Sequence, residues 1–153
     1  VVVSPLIALM HDQRERLTER YDLDAAKLDS TLKAGELKAL QKEIRRGEHE
    51  FIYVTPEQLE NPERLALLKR ANVSLFVVDE AHCVSQWGHD FRPDYRTLGR
   101  LAEIFPRAPR IAVTRPPLPA CARTSATNWG WRIRWWCAPA SSAKTSRWRS
   151  TAR

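Results

Sequence analysis

The stretch Val73-Ser74-Leu75-Phe76-Val77-Val78-Asp79-Glu80-Ala81-His82 decides how the whole chain is read. Up to Val78 it is a short run dominated by apolar, β-branched and aromatic residues, the composition of a strand covered on both faces. At Asp79 it switches to two adjacent acids. A buried strand that ends on neighbouring carboxylates delivers both to one edge of a sheet, and in open parallel sheets ligands sit beyond the carboxyl ends of the strands. Such a pair suits Mg²⁺-nucleotide hydrolysis: one carboxylate holds the metal, usually through its waters, and the next polarises the attacking water. The plainer alternative is a strand followed by a polar turn that happens to spell Asp-Glu-Ala-His.

Outward from this stretch the chain alternates between strand and helix patterns. Val1-Val2-Val3 reads as a buried strand, with Ser4 as a helix cap and Pro5 in the first helical turn. Leu6, Leu9, Met10, Gln13 and Leu17 then recur at helical spacing. Residues 25–28 form a weak strand, and Leu37, Leu40 and Ile44 mark a second helix stopped at Gly47. Phe51 to Val54 is a third strand, closed by Thr55-Pro56. Asn61-Pro62 caps a helix whose apolar side is Leu65 and Leu68. Pro93 opens a helix carrying Leu98, Leu101 and Ile104, and Ile111 to Val113 is a last short strand. This alternation predicts an α/β fold, a parallel sheet with helices on both faces. Four strand ends carry polar or turn residues: Ser4-Pro5, Thr55-Pro56, Asp79-Glu80 and Thr114.

Length and composition bound the rest. The 153 residues fit one domain, and 43% apolar with 28% charged residues is ordinary for a globular chain. No run approaches the ~20 apolar residues of a membrane span, and Val1 to Leu9 lacks the basic start and small-residue cleavage site of a signal peptide. The three cysteines, Cys83, Cys121 and Cys137, are odd in number and lack metal-ligand spacing. They argue for a reducing, cytoplasmic setting. The net charge of +7 is unevenly spread. All 18 acids lie at or before Glu103, where they face 15 Lys and Arg for a net −3, while residues 104–153 hold ten basic residues and no acid. Five of the six Trp follow residue 128.

Cys83 to Arg96 is dense in aromatic, cationic and amide groups, with Gly88 as a flexible point. Aromatic rings stack on unpaired bases and Arg pairs with phosphate; an ordinary loop with inward-packed Trp and Phe accounts for the composition equally well. His82, Cys83 and His89 do not have the spacing of a tetrahedral metal site. His11 and His49 read as solvated surface residues.

Residues 1–113 closely resemble the first motor domain of RecQ-type DNA helicases, within the superfamily-2 helicases. Ser4 to Met10 followed by Asp12-Gln13 matches motif Ia, and Tyr53-Val54-Thr55-Pro56-Glu57 matches motif Ib. Asp79-Glu80-Ala81-His82 matches motif II, the Walker B box of the DEAH type. Gln86-Trp87-Gly88-His89-Asp90-Phe91-Arg92-Pro93 matches the aromatic-rich loop that distinguishes this family. The resemblance implies a RecA-like α/β fold, ATP and Mg²⁺ as cofactors, and single-stranded and partly duplex DNA as partners, with no membrane. It implies 3′-to-5′ unwinding coupled to ATP hydrolysis, in DNA repair and recombination, in a bacterial-type cytoplasm. Asp79 would coordinate Mg²⁺ through water and Glu80 would activate the attacking water. His82 and Gln86 would link nucleotide state to the loop, and Trp87, His89, Phe91 and Arg92 would sense single-stranded DNA. Ser4 and Thr55 would lie on the strand-binding face, although both serve equally well as helix caps.

Two departures from the family pattern shape the expectation for this chain. It contains no Gly-x-x-x-x-Gly-Lys-Ser/Thr loop, which in the family precedes motif Ia and cradles the phosphates. The chain therefore reads as a piece of a helicase, truncated at the N-terminus, without the second motor domain and inactive in isolation. The family also has Thr-Ala-Thr after the strand ending at Val113, where this chain has Thr114-Arg115-Pro116. Residues 1–114 are thus expected to be a partial motor domain and 115–153 an irregular, disordered tail in a shifted reading frame. Reading each codon one base upstream forces Trp129 to Leu, Gly130 to Gly and Trp136 to Val. Permitted choices then turn Thr124 to Trp136 into Asp-Ile-Arg-Asn-Gln-Leu-Gly-Leu-Ala-Asp-Pro-Leu-Val, which restores acids and helical spacing. On that reading the Trp–Arg cluster only imitates a nucleic-acid-binding segment. Two other functions fit less of the sequence: a non-enzymatic single-stranded nucleic-acid-binding module, and a DEAH-type ATPase acting on RNA.

Overall fold

The computed structural model describes residues 1–84 and 92–114 in full, and the backbone of 134–137 and 148–150. The chain divides into two units, Val1–Ser74 and Leu75–Arg153. Among the described residues no helix is long and apolar enough to cross a membrane.

In the first unit, β1 (Val2–Val3), β2 (Ala25–Leu28) and β3 (Phe51–Val54) run parallel in the order β2-β3-β1. Helix α1 (Ile7–Tyr21) and helix α2 (Ala34–Arg46) make the crossovers, as parallel neighbours require. Met10 of α1 packs with Ala25 and Tyr53 on the strands, flanked by Val2, Leu17 and Phe51. Helix α2 ends at Gly47, whose φ of 71° places it in the left-handed region that favours glycine at a C-cap. Helix α3 (Pro62–Arg70) starts as read from sequence: the Asn61 side chain accepts from the Glu63 and Arg64 amides, and Pro62 occupies the first turn. It buries Leu67 and Leu68, and Leu65 is half-buried.

The start of α1 corrects the sequence reading. The N-cap is Leu6, not Ser4, and it makes no side-chain cap bond. The Ser4 amide instead donates to the Val54 carbonyl at 3.1 Å, so Ser4 continues the β1–β3 ladder and is completely buried. His49 also departs from expectation. Its ring is largely buried and its Nε2 lies 3.2 Å from Glu43 Oε2.

In the second unit, β4 (Phe76–Val78) and β5 (Arg110–Thr114) are parallel, and the Phe76 and Phe105 rings pack at a tilt of 58° with centroids 4.9 Å apart. The helix expected after Pro93 is broken into α4 (Asp94–Thr97), a 3-10 turn (Leu98–Arg100) and α5 (Leu101–Ile104). Gly99 sits in the middle of the break, where it lowers helix propensity. Its apolar positions are still as read: Leu98 and Leu101 are buried. Beyond β5 the structure differs from the expected irregular tail in two places. β6 (Arg134–Cys137) pairs parallel with β5, and β7 (Trp148–Ser150) pairs antiparallel with β6. Ladder pairing uses main-chain groups alone, so it does not require the side-chain period that this segment lacks.

Candidate functional site

Asp79 follows the last residue of β4, and its peptide to Glu80 is held at both ends. The Glu80 amide donates to Asp79 Oδ1 at 2.9 Å, and the Tyr95 hydroxyl donates to the Asp79 carbonyl at 2.8 Å. Glu80 itself has φ 47°, a left-handed conformation that costs a residue with a Cβ about 1–2 kcal/mol. Backbone strain of this kind persists where surrounding bonds over-determine it, and it gathers at functional positions. The turn starts a 3-10 helix, Ala81–Val84, closed by the Cys83 amide on the Glu80 carbonyl at 2.9 Å.

That turn brings His82 back onto Glu80. His82 Nδ1 lies 3.1 Å from Glu80 Oε2 and 2.8 Å from the Thr114 hydroxyl at the end of β5. The hydrogen bond of His82 Nδ1 goes to the Thr114 hydroxyl, and Glu80 Oε2 stands beside the ring at ion-pair distance without a hydrogen bond from it. The adjacent ends of two parallel strands thus deliver an acid pair, an imidazole and a hydroxyl to one place. Thr114 is a functional candidate that sequence reading placed at a strand end without giving it a role. The signal was there in the polar strand termini, but which strands are neighbours was not.

The donor set fits a hard divalent cation. Asp79 and Glu80 offer carboxylate oxygens only, as Mg²⁺ prefers. Glu80 Oε2 is buried and lacks a well-formed hydrogen bond among the described residues, so a cation there, or its water, answers an oxygen that is otherwise under-satisfied. Asp79 is half-buried and Glu80 has 18% of its side chain exposed, open enough to reach a ligand at the strand edge.

The aromatic segment is described only at its base. Gln86, Trp87, His89 and Phe91 lie outside the described residues. Arg92 is exposed, and its amide donates to the Cys83 carbonyl at 2.9 Å. The two stems of the segment therefore meet beside His82. Cys83 is a buried thiol outside any disulfide among the described residues.

In the first unit, Ser4 and Thr55 lie at the carboxyl ends of neighbouring strands β1 and β3, both buried. Thr55 is the N-cap residue of a 3-10 turn (Pro56–Glu60), but its hydroxyl makes no cap bond and has no partner among the described residues. Thr55 thus takes the cap position without a side-chain cap bond, and Ser4 stands in the strand and not at the cap of α1. Asp29, which follows β2, completes the row and was not singled out by sequence. Its Oδ1 accepts from the Thr31 amide at 2.8 Å and hydroxyl at 2.6 Å, and its Oδ2 pairs with Lys27 Nζ at 3.0 Å. Burial works against the charge, but these partners outweigh it and hold the carboxyl below its usual range.

Comparison with known proteins places this geometry in a family. The DEAD/DEAH box helicase description matches residues 1–127. A probable ATP-dependent DNA helicase RecS of Bacillus subtilis is 46% identical over 114 residues, covering 74% of this chain and 23% of the relative. The ATP-dependent DNA helicase RecQ of Pasteurella multocida is 41% identical over 114 residues, covering 74% and 18%. The ATP-dependent DNA helicase Q5 of Rattus norvegicus is 43% identical over 125 residues, covering 78% and 13%. This chain thus spans less than a quarter of the length of these relatives. With a motif II turn built from the acids, imidazole and hydroxyl described above, the chain belongs to the DEAD/DEAH box helicases, and its similarity runs to the RecQ-type members.

Proposed function

We propose that this chain forms part of the nucleotide-hydrolysing motor of an ATP- and Mg²⁺-dependent DNA helicase. The motor moves 3′ to 5′ along one strand and unwinds partly duplex DNA in repair and recombination, in the cytoplasm. The observation that carries this reading is the Asp79–Glu80 turn, with His82 Nδ1 set against both Glu80 Oε2 and the Thr114 hydroxyl. In this reading Asp79 holds Mg²⁺ through its waters, and the metal neutralises charge on the terminal phosphates. Glu80 orients and deprotonates the attacking water. His82, with Gln86, reports the state of that centre to the segment carrying Trp87, His89, Phe91 and Arg92, which contacts the unpaired strand. Ser4 and Thr55 contact phosphates.

Because the 153 residues contain no Gly-x-x-x-x-Gly-Lys-Ser/Thr, we also propose that they do not hydrolyse ATP by themselves. The function is therefore tested in a chimaera. Residues 1–114 replace the matching segment of a RecQ-type relative, and DNA-stimulated ATP hydrolysis and 3′-tailed duplex unwinding are measured. Retention of both with DNA, and not with RNA, is the expected result. Loss of both in a folded chimaera defeats the reading, and stimulation by RNA instead favours the RNA-dependent alternative.

The tail from residue 115 is proposed to be translated out of frame. The nucleotide sequence across codons 110–120 of the source genome decides it: a lost base confirms the shift, and an intact frame in related genomes refutes it.

A further inference from the structure

We propose that Tyr95 is the positioning residue of the motif II centre, tying the base of the aromatic segment to the peptide that aims Glu80. This inference rests on the functional reading above and adds a residue to it.

Glu80 needs a left-handed backbone to turn its carboxylate onto His82. That conformation depends on the orientation of the peptide plane between Asp79 and Glu80. The plane has two polar handles, and both are held: its N–H by Asp79 Oδ1 at 2.9 Å and its carbonyl oxygen by the Tyr95 hydroxyl at 2.8 Å. The first handle belongs to the carboxylate that the reading above also gives to the water shell of the metal. The second is independent of the metal. Tyr95 is completely buried, so its hydroxyl has no bulk water to turn to. Burial, with Cys83 and Asp79 nearby, pushes its ionisation upward.

The other end of the tie is the aromatic segment. The Tyr95 amide donates to the Arg92 carbonyl at 3.1 Å, and the Arg92 amide donates to the Cys83 carbonyl at 2.9 Å. A displacement of the segment's exit stem at Arg92 is therefore carried through one turn of chain to the Tyr95 ring, and from its hydroxyl to the Asp79 carbonyl. Two hydrogen bonds, Tyr95 amide to Arg92 carbonyl and Tyr95 hydroxyl to Asp79 carbonyl, separate the stem from the peptide that sets Glu80.

The test uses the 153-residue chain and Tyr95→Phe, which keeps the buried ring and removes only the hydroxyl. Amide hydrogen exchange is followed residue by residue, with Mn²⁺ as the paramagnetic metal probe. Loss of one buried hydrogen bond is expected to speed exchange at the Glu80 amide on the order of tenfold. Amides of β5 should change less than twofold, a split that general destabilisation would not produce. Mn²⁺ broadening of the Glu80 and His82 resonances should require several-fold more metal than in the wild type. Unchanged Glu80 exchange in the folded variant overturns the proposal, as does an equal rise at β5. If wild-type chain shows no Mn²⁺ broadening at Asp79 and Glu80, the metal reading of the site fails, while the exchange comparison still decides the role of Tyr95. Should the variant not fold, the wild type decides: a Tyr95 hydroxyl proton protected from water supports the tie, and one in fast exchange overturns it.

Discussion

Glu80 is the side chain on which the chemistry turns, because it is both strained and poorly satisfied. Glu80→Gln in the chimaera keeps the shape of the side chain and removes the base. General base catalysis contributes roughly 10²–10⁴-fold, so ATP turnover should fall by about that factor while DNA binding stays within twofold, measured by steady-state hydrolysis and fluorescence anisotropy. A second residue-scale expectation concerns Asp29, whose partners depress its ionisation in the folded state. Its contribution to stability is then complete above the unfolded carboxylate range near pH 4 and is lost as pH falls through the lower folded value. Urea denaturation should show Asp29→Asn less stable than wild type at pH 7, with the gap closing as pH falls below the unfolded carboxylate range; a gap independent of pH excludes the linkage. The acid pair at Asp79 and Glu80 was legible in sequence because adjacent carboxylates after an apolar run are chemically conspicuous. Asp29, Thr114 and Tyr95 were not, because their roles come from which strands and loops are neighbours, and a single chain does not print that.

At the scale of elements, local signals were read well where the local bond decides the outcome. Gly47 and Asn61 ended and began helices as their chemistry requires. Gly47→Ala meets no atom within 4 Å, so its cost is the left-handed backbone alone, about 1–2 kcal/mol. Asn61→Ala leaves the Glu63 and Arg64 amides without their acceptor and should cost ~1 kcal/mol. Chemical denaturation of the two variants checks both, and a value near zero for Gly47→Ala contradicts the observed turn. Signals failed where a tertiary bond overrode the local one. Ser4 has the right chemistry for a cap, but its amide is taken by the Val54 carbonyl, so the strand runs one residue further and the helix starts later. The segment after Pro93 has a helical apolar pattern, yet it is tied at one end to Cys83 by the Arg92 amide and to Asp79 by the Tyr95 side chain, and it turns in short pieces.

For the chain as a whole, the question is which part attracts nucleic acid. Residues 1–114 carry 17 Lys and Arg against 18 acids, a net −1, so the whole positive charge of the chain comes from the eight basic residues after Thr114. Counterion release makes such a tail bind any duplex or single strand, with an affinity that falls steeply as salt rises. The aromatic segment should behave differently, since base stacking is worth about 1–3 kcal/mol per base and depends less on salt. Three proteins separate the two contributions: the full chain, residues 1–114, and the full chain with Trp87→Ala, each titrated with a fluorescent oligonucleotide at several salt concentrations. Truncation also removes β6 and exposes the edge of β5, so a thermal melt must first show that residues 1–114 still unfold cooperatively. If the functional reading is right, truncation flattens the salt slope but leaves residual binding to single strands, and Trp87→Ala weakens the salt-insensitive part about tenfold. Binding that vanishes on truncation and ignores Trp87→Ala would assign all affinity to the tail, and the aromatic segment would lose its claim to contact DNA.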